Sequence, residues 1–189
     1  MTRQTDITPS LPPAVQKVSS NLQRWGFWSF WLQLVLGIVA TVTLLFSTPA
    51  LFEPEKRSGG SQFGIFCAFV GIVLLVTAII LSFRYRKIGK KIQNPNPSMR
   101  PKKSDTLQLI KIGLIFNLVG MLFAIFGAEA LVGLTLGKLI NLPQQSVTAN
   151  PEDYVNASDL LIIQANTNTI AAHFTGIVTS LVLLNRITN

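Results

Sequence analysis

Charge is scarce in this sequence: 13% of its 189 residues are charged, against about 25% in an average soluble domain. Carboxylates number eight, and there is one histidine and one cysteine. The lone cysteine, Cys67, excludes an internal disulfide, a CxxC redox pair and a zinc site built on cysteine pairs. No second histidine or cysteine accompanies His173, and no serine or cysteine stands in a nucleophile context, so hydrolase and oxidoreductase chemistry is not expected. The glycines form neither GxGxxG nor a P-loop, which leaves no nucleotide site. No cofactor and no catalytic residue are expected.

What replaces charge is length of apolar run. Four runs, about 27–46, 63–83, 109–129 and 160–184, each approach the roughly 20 residues that cross a bilayer core of about 30 Å. The fold class is therefore all-α, a polytopic membrane protein of four transmembrane helices within residues 27–184. Trp25, Trp28 and Trp31 lead into the first run, as amphipathic rings at headgroup level do. Residues 1–26 are read as a polar tail followed by a short interfacial helix, because Val15, Val18, Leu22 and Trp25 recur at helical spacing with polar residues between them. That N-terminus carries no signal or transit pattern, so the first run is expected to stay in the mature protein.

The second run leads into a basic loop, 84–108, with eight basic residues and one acidic, Asp105. Asn94-Pro95-Asn96-Pro97 should end its helix, and Ser104-Asp105 should cap the next. The third run stays apolar from Leu109 to Leu142, too long for one perpendicular crossing at about 1.5 Å per residue. The preferred reading stops the span near Glu129 and makes 130–142 interfacial or re-entrant; a long tilted helix is the alternative. Asn156 or Ser158 should cap the fourth span.

With both termini and the basic loop on one side, that side holds thirteen of the sixteen basic residues and the other only Lys56, Arg57 and Lys138. The positive-inside bias predicts an N-in, C-in arrangement. The net charge of +8 is thus a mark of topology rather than of nucleic-acid binding. The loop itself serves either to meet anionic lipid or to dock a soluble partner.

Two spans carry the remaining information. In the third, Gly113, Gly120 and Gly127 recur every seven residues and Gly120, Ala124 and Ala128 every four, spacings that let a second helix approach closely. Asn117 sits beside that seam. In the fourth, Asn166, Thr169, His173, Gly176 and Ser180 fall on one stripe at 100° per residue. Polar groups at membrane depth are costly and face a bundle interior or a pathway. Asn117, Asn166, Thr169 and His173 are the pathway candidates, with Glu129 toward the outer interface. His173 either titrates or binds a metal, or is a neutral imidazole bonded to a neighbouring helix, Asn117 being the partner at hand. Gly113, Gly120, Ala124, Gly127, Ala128 and Gly176 are the packing candidates.

Phe116-Asn117-Leu118-Val119-Gly120-Met121, then Gly127-Ala128-Glu129-Ala130-Leu131-Val132-Gly133, then Gln164-Ala165-Asn166-Thr167-Asn168-Thr169 leading to His173-Phe174 and Gly176, resemble one known family. It is that of the chloroplast inner-envelope 21-kDa translocon protein, also called the permease in chloroplasts, whose cyanobacterial relatives form a domain-of-unknown-function family. Trp28-Ser29-Phe30-Trp31 and Phe83-Arg84-Tyr85 fit as well, so the likeness spans nearly all the chain after residue 20. It implies a four-helix protein of a cyanobacterial plasma membrane or plastid inner envelope. It also implies one of two roles, iron permeation in metal homeostasis or participation in preprotein import.

The expectation is accordingly a small permease for iron or another divalent metal, and the alternative a structural or translocon subunit without transport of its own. Expected partners are membrane lipid, translocon or metal-handling proteins, and further copies of the chain. Because four helices leave little room for a pore, assembly of copies through the glycine seam is expected too.

Overall fold

A computed structural model describes residues 11–47, 59–140 and 157–188. Four long helices make up most of them: α1, Pro13–Phe46; α2, Gly59–Ile92; α3, Lys103–Ile140; and α4, Ala157–Thr188. Each is long and apolar enough to cross a membrane, and among the described residues there is no strand. Helices suit that medium because they satisfy their own backbone groups where no water can.

The boundaries follow local chemistry. Pro13 occupies the first turn of α1, where its missing N–H costs nothing. Past Ile92 the Asn-Pro repeat takes over. Asn94 Oδ1 accepts from Asn96 N at 2.9 Å, and Asn96 Oδ1 accepts from Ser98 N at 3.1 Å at the start of a short 3₁₀ turn, Pro97–Met99. The third helix starts earlier than Ser104-Asp105 would set it: Thr106 N already donates to Lys102 O at 3.2 Å, and the Ser104 hydroxyl turns to Asp105 instead. Asn156 lies outside the described residues.

Two segments differ from expectation. Residues 13–26 are not a separate interfacial helix but the first turns of α1. Their apolar stripe faces protein, with Leu22 fully buried and Ser19 Oγ donating to Gly89 O of α2 at 2.7 Å. Of the two readings of the third run, the long helix is the one found, since α3 continues unbroken to Ile140.

Buried positions advance by alternating steps of three and four. In α3 they are Thr106, Ile110, Gly113, Asn117, Gly120, Ala124, Gly127 and Leu131. In α2, Ala68, Gly71, Leu75, Ala78, Ser82, Tyr85, Gly89 and Ile92 do the same. A 3.5-residue period is that of helices packed at a shallow left-handed angle. Large apolar side chains such as Val35, Ile38, Phe69, Ile115 and Phe126 point outward instead. Small and polar groups fill the centre because lipid is as apolar as leucine, leaving close packing and hydrogen bonds to hold the helices together.

The helices form a four-membered ring: α1 and α3 each pack against both α2 and α4, and α2 meets α4 across the middle. Two apolar clusters close its ends. Leu22, Tyr85, Ile110 and Leu183 anchor the one at the basic end, and Ala68, Leu131 and Ile162 the other. The polar side chains lie between them.

Candidate functional site

Gln33 of α1 is the hub of that polar layer, and it is fully buried. Its Nε2 donates to Asn117 Oδ1 of α3 at 2.9 Å and to the Ala172 carbonyl of α4 at 3.3 Å. Its Oε1 accepts from Ser82 Oγ of α2 at 2.9 Å, and Ser82 lies 3.1 Å from Ser29 of α1. Asn117 Nδ2 donates to the Gly113 carbonyl at 2.7 Å. Both amides are thereby oriented, because a backbone carbonyl only accepts.

His173 joins on the far side of Asn117. Its Nδ1 lies 3.1 Å from Asn117 Oδ1 and its Nε2 3.2 Å from the Gly71 carbonyl of α2. Both ring nitrogens therefore face acceptors. A neutral imidazole has one N–H to offer and a doubly protonated one has two. The result is a continuous polar line, Ser29, Ser82, Gln33, Asn117, His173 and the Gly71 carbonyl, drawn from all four helices.

Glycines make room for it. A Cβ at Gly120 would collide with the His173 ring, and one at Gly176 with the Asn117 and Gln33 amides. Gly113 lies against the Tyr85 hydroxyl, and a Cβ at Gly127 would sit 3.0 Å from Asn166 Oδ1 and from Cys67 Cβ. The whole Gly113, Gly120, Gly127 seam is thus occupied by side chains of the same chain. A second copy finds no exposed surface there.

The other candidates fall as follows. Thr169 is buried one turn from His173, its hydroxyl donating to Ala165 O at 2.9 Å. Asn166 is fully buried; its Nδ2 donates to Ile162 O at 3.1 Å, while its Oδ1 has no partner among the described residues. Ser180 is buried beside the Tyr85 hydroxyl. Ala124 is buried and Ala128 half-buried. Glu129 is exposed, and at about 1.5 Å per residue it lies roughly 18 Å along α3 from Asn117. It takes no part in the network. No group of three or more His, Cys, Asp or Glu side chains fit to hold a metal occurs among the described residues.

Gln33, Ser29 and Ser82 are the members that sequence reasoning passed over. For Gln33 a signal was present along α1, where Ser19, Gly26, Gln33 and Ala40 recur every seven residues, as the glycines of the third run do.

A membrane-embedded four-helix bundle with a polar layer sealed between two apolar clusters is the class these features define. The chain belongs to the family described as protein of unknown function (DUF3611), whose model matches residues 12–188. It is 30% identical over 184 residues to "Protein TIC 21, chloroplastic" of Arabidopsis thaliana, an alignment covering 92% of this chain and 59% of that protein. The chain thus spans about three fifths of the length of the curated relative it matches. No solved structure matches it.

Proposed function

We propose that this chain moves a small cation, ferrous iron or a similar divalent metal first among candidates, across its membrane. The single observation that carries the reading is the buried line running from Ser29 through Gln33 and Asn117 to His173. Membrane proteins keep such groups at depth where substrates or protons pass. Amide and carbonyl oxygens beside one imidazole are donors that suit divalent iron or manganese as cargo. Because apolar clusters close both ends of the layer, such a protein works as a carrier whose helices part, not as a standing pore. The chain then has no catalytic role, and the basic end faces the cytoplasm or stroma.

A second reading has its own observation in favour: the polar groups of this layer bond mainly to one another and to backbone, as they would if their task were to fix helix register. On that reading the chain is a structural subunit of a translocation assembly. Purified protein in liposomes, assayed for ferrous and manganous flux beside His173→Ala, separates the two. Saturable flux lost in the variant supports the carrier. A folded protein with no flux above empty liposomes leaves the assembly subunit.

A further inference from the structure

At the basic end the four helix termini surround a cleft of about 930 Å³. Its walls carry Lys17 from α1, Arg100 and Lys103 from the turn into α3, and Arg186 from α4. No acidic side chain lies among the described residues that line it. Arg100 is held in place, its Nε donating to Asn94 O at 2.9 Å and its Nη2 to Pro95 O at 3.4 Å, so the remaining N–H groups of its guanidinium are fixed in direction. Between the charges the lining is aliphatic, with Val15 and Val18 half-buried and Ile92 and Ile187 buried in the apolar cluster beneath them. No aromatic ring stands among the described lining residues to stack on a base.

Depth separates two sources of negative charge. The apolar stretch of α1 begins near Phe27 and that of α2 ends near Phe83. A Cβ on Gly26 would meet Ser82 O, Tyr85 Cβ and Arg86 N at 3.0–3.2 Å, so these two positions lie at one level. Ile92 is nine residues beyond Phe83 and Val18 nine before Phe27, which at about 1.5 Å per residue is roughly 13 Å outside the hydrocarbon. The headgroup layer on one side is only about 5–8 Å deep. The α1 and α2 walls of the cleft therefore rise into water above the headgroups, while Arg186 and Ile187 of α4, two and three residues past Leu184, stand at headgroup level.

We infer that this cleft is a docking site for an acidic amphipathic segment of a soluble partner protein, its aliphatic face on Val15 and Val18 and its carboxylates toward the four cations. Recognition of this kind is helix-in-groove binding, with charge complementarity fixing orientation and partner choice. The inference stands whether or not the bundle carries cations.

The test uses the full chain in phosphatidylcholine nanodiscs and a fluorescein-labelled synthetic peptide of Glu and Leu at helical spacing, followed by anisotropy. Saturable binding is expected, weakened about tenfold or more by the triple change Lys17→Gln, Lys103→Gln and Arg186→Gln, since each lost cation near such a surface removes about a fivefold factor. The triple change Arg84→Gln, Lys90→Gln and Lys91→Gln removes the same charge outside the cleft and should weaken it less than about twofold if proximity decides. Val15→Ser, which leaves every charge in place, should also weaken it. Equal loss in the two triple variants, or equal binding of a shuffled peptide of the same composition, overturns the inference. Displacement of the peptide by phosphatidylglycerol added to the nanodisc assigns the cleft to lipid headgroups and overturns it as well. Unchanged helical circular dichroism in each variant shows that loss of binding is not loss of fold.

Discussion

His173 Nδ1 and Asn117 Oδ1 meet at 3.1 Å, tying α4 to α3 inside a bundle whose outer surface is apolar. Asn117 Oδ1 also accepts from Gln33, so one amide oxygen serves two neighbours. Asn117→Leu leaves His173 Nδ1 without that partner and Gln33 Nε2 with the Ala172 carbonyl alone. A buried polar group left without a partner costs about 1–3 kcal/mol, although polar pairs within membranes average nearer 0.6 kcal/mol. A loss of about 1–2 kcal/mol in detergent unfolding is expected. In a cycle with His173→Leu the two changes should couple by about 0.5 kcal/mol or more. Additive losses would show that the pair contributes nothing beyond its separate packing.

The glycines make a sharper steric comparison. Gly120→Ala drives a methyl group into the His173 ring, whereas a Cβ at Gly133 meets nothing within 4 Å. Overpacking costs about 1–3 kcal/mol, while exchanging an open helical glycine for alanine gains up to about 1 kcal/mol of propensity. Gly120→Ala should lower the unfolding midpoint and Gly133→Ala should leave it unchanged or raise it. Equal effects at the two sites would mean that Gly120 does not face His173.

How much of this was legible before the fold was seen depended on whether a signal named its own direction. The four spans were, because apolar length is fixed by the bilayer. The Asn117–His173 pairing was legible as one of two readings of His173, the other being titration or metal binding, because Asn117 was the deep polar group of the facing span. Gln33 was not, although it stands in the first run among aliphatic residues. The tryptophans beside it drew the reading toward interfacial anchoring, and its partner is four helical turns along another span. Glu129 drew a pathway role by its charge alone. It lies two residues past Gly127, about 200° around the helix from that buried seam, and so it turns outward. The continuous helices across 13–26 and 130–140 were hidden for another reason. Across 13–26 the helix runs on because α2 extends beside it, as the Ser19–Gly89 bond shows, whereas past Leu131 α3 continues without a buried position among the described residues, and sequence alone announces neither.

Sidedness can be read from one cysteine at a time. Cys67 is buried, so an impermeant maleimide should leave it unmodified in the folded protein. In a Cys67→Ala background, Lys90→Cys and Ser20→Cys lie on exposed surface at the basic end. If the positive-inside bias holds, both should react in inverted vesicles and neither in right-side-out ones. Reaction of the pair on opposite sides would contradict the shared end on which the cleft depends. Joint reaction from outside would reverse the orientation while leaving the bundle intact.

Glu129 and His173 give the cation-carrier reading its contrast. Glu129 is exposed and away from the polar line, so Glu129→Gln should change stability by no more than about 0.5 kcal/mol, as surface changes do. It should also leave ferrous flux in liposomes near the level of the unchanged protein. His173→Ala opens the centre of the line and removes the only imidazole, and Gln33→Leu interrupts the same line from α1. If cations pass along it, both should abolish saturable flux while the helical content stays constant. Flux lost in Glu129→Gln but kept in His173→Ala would place the route along the outer face of α3. The interior amides would then be left with the single task of holding four helices in register.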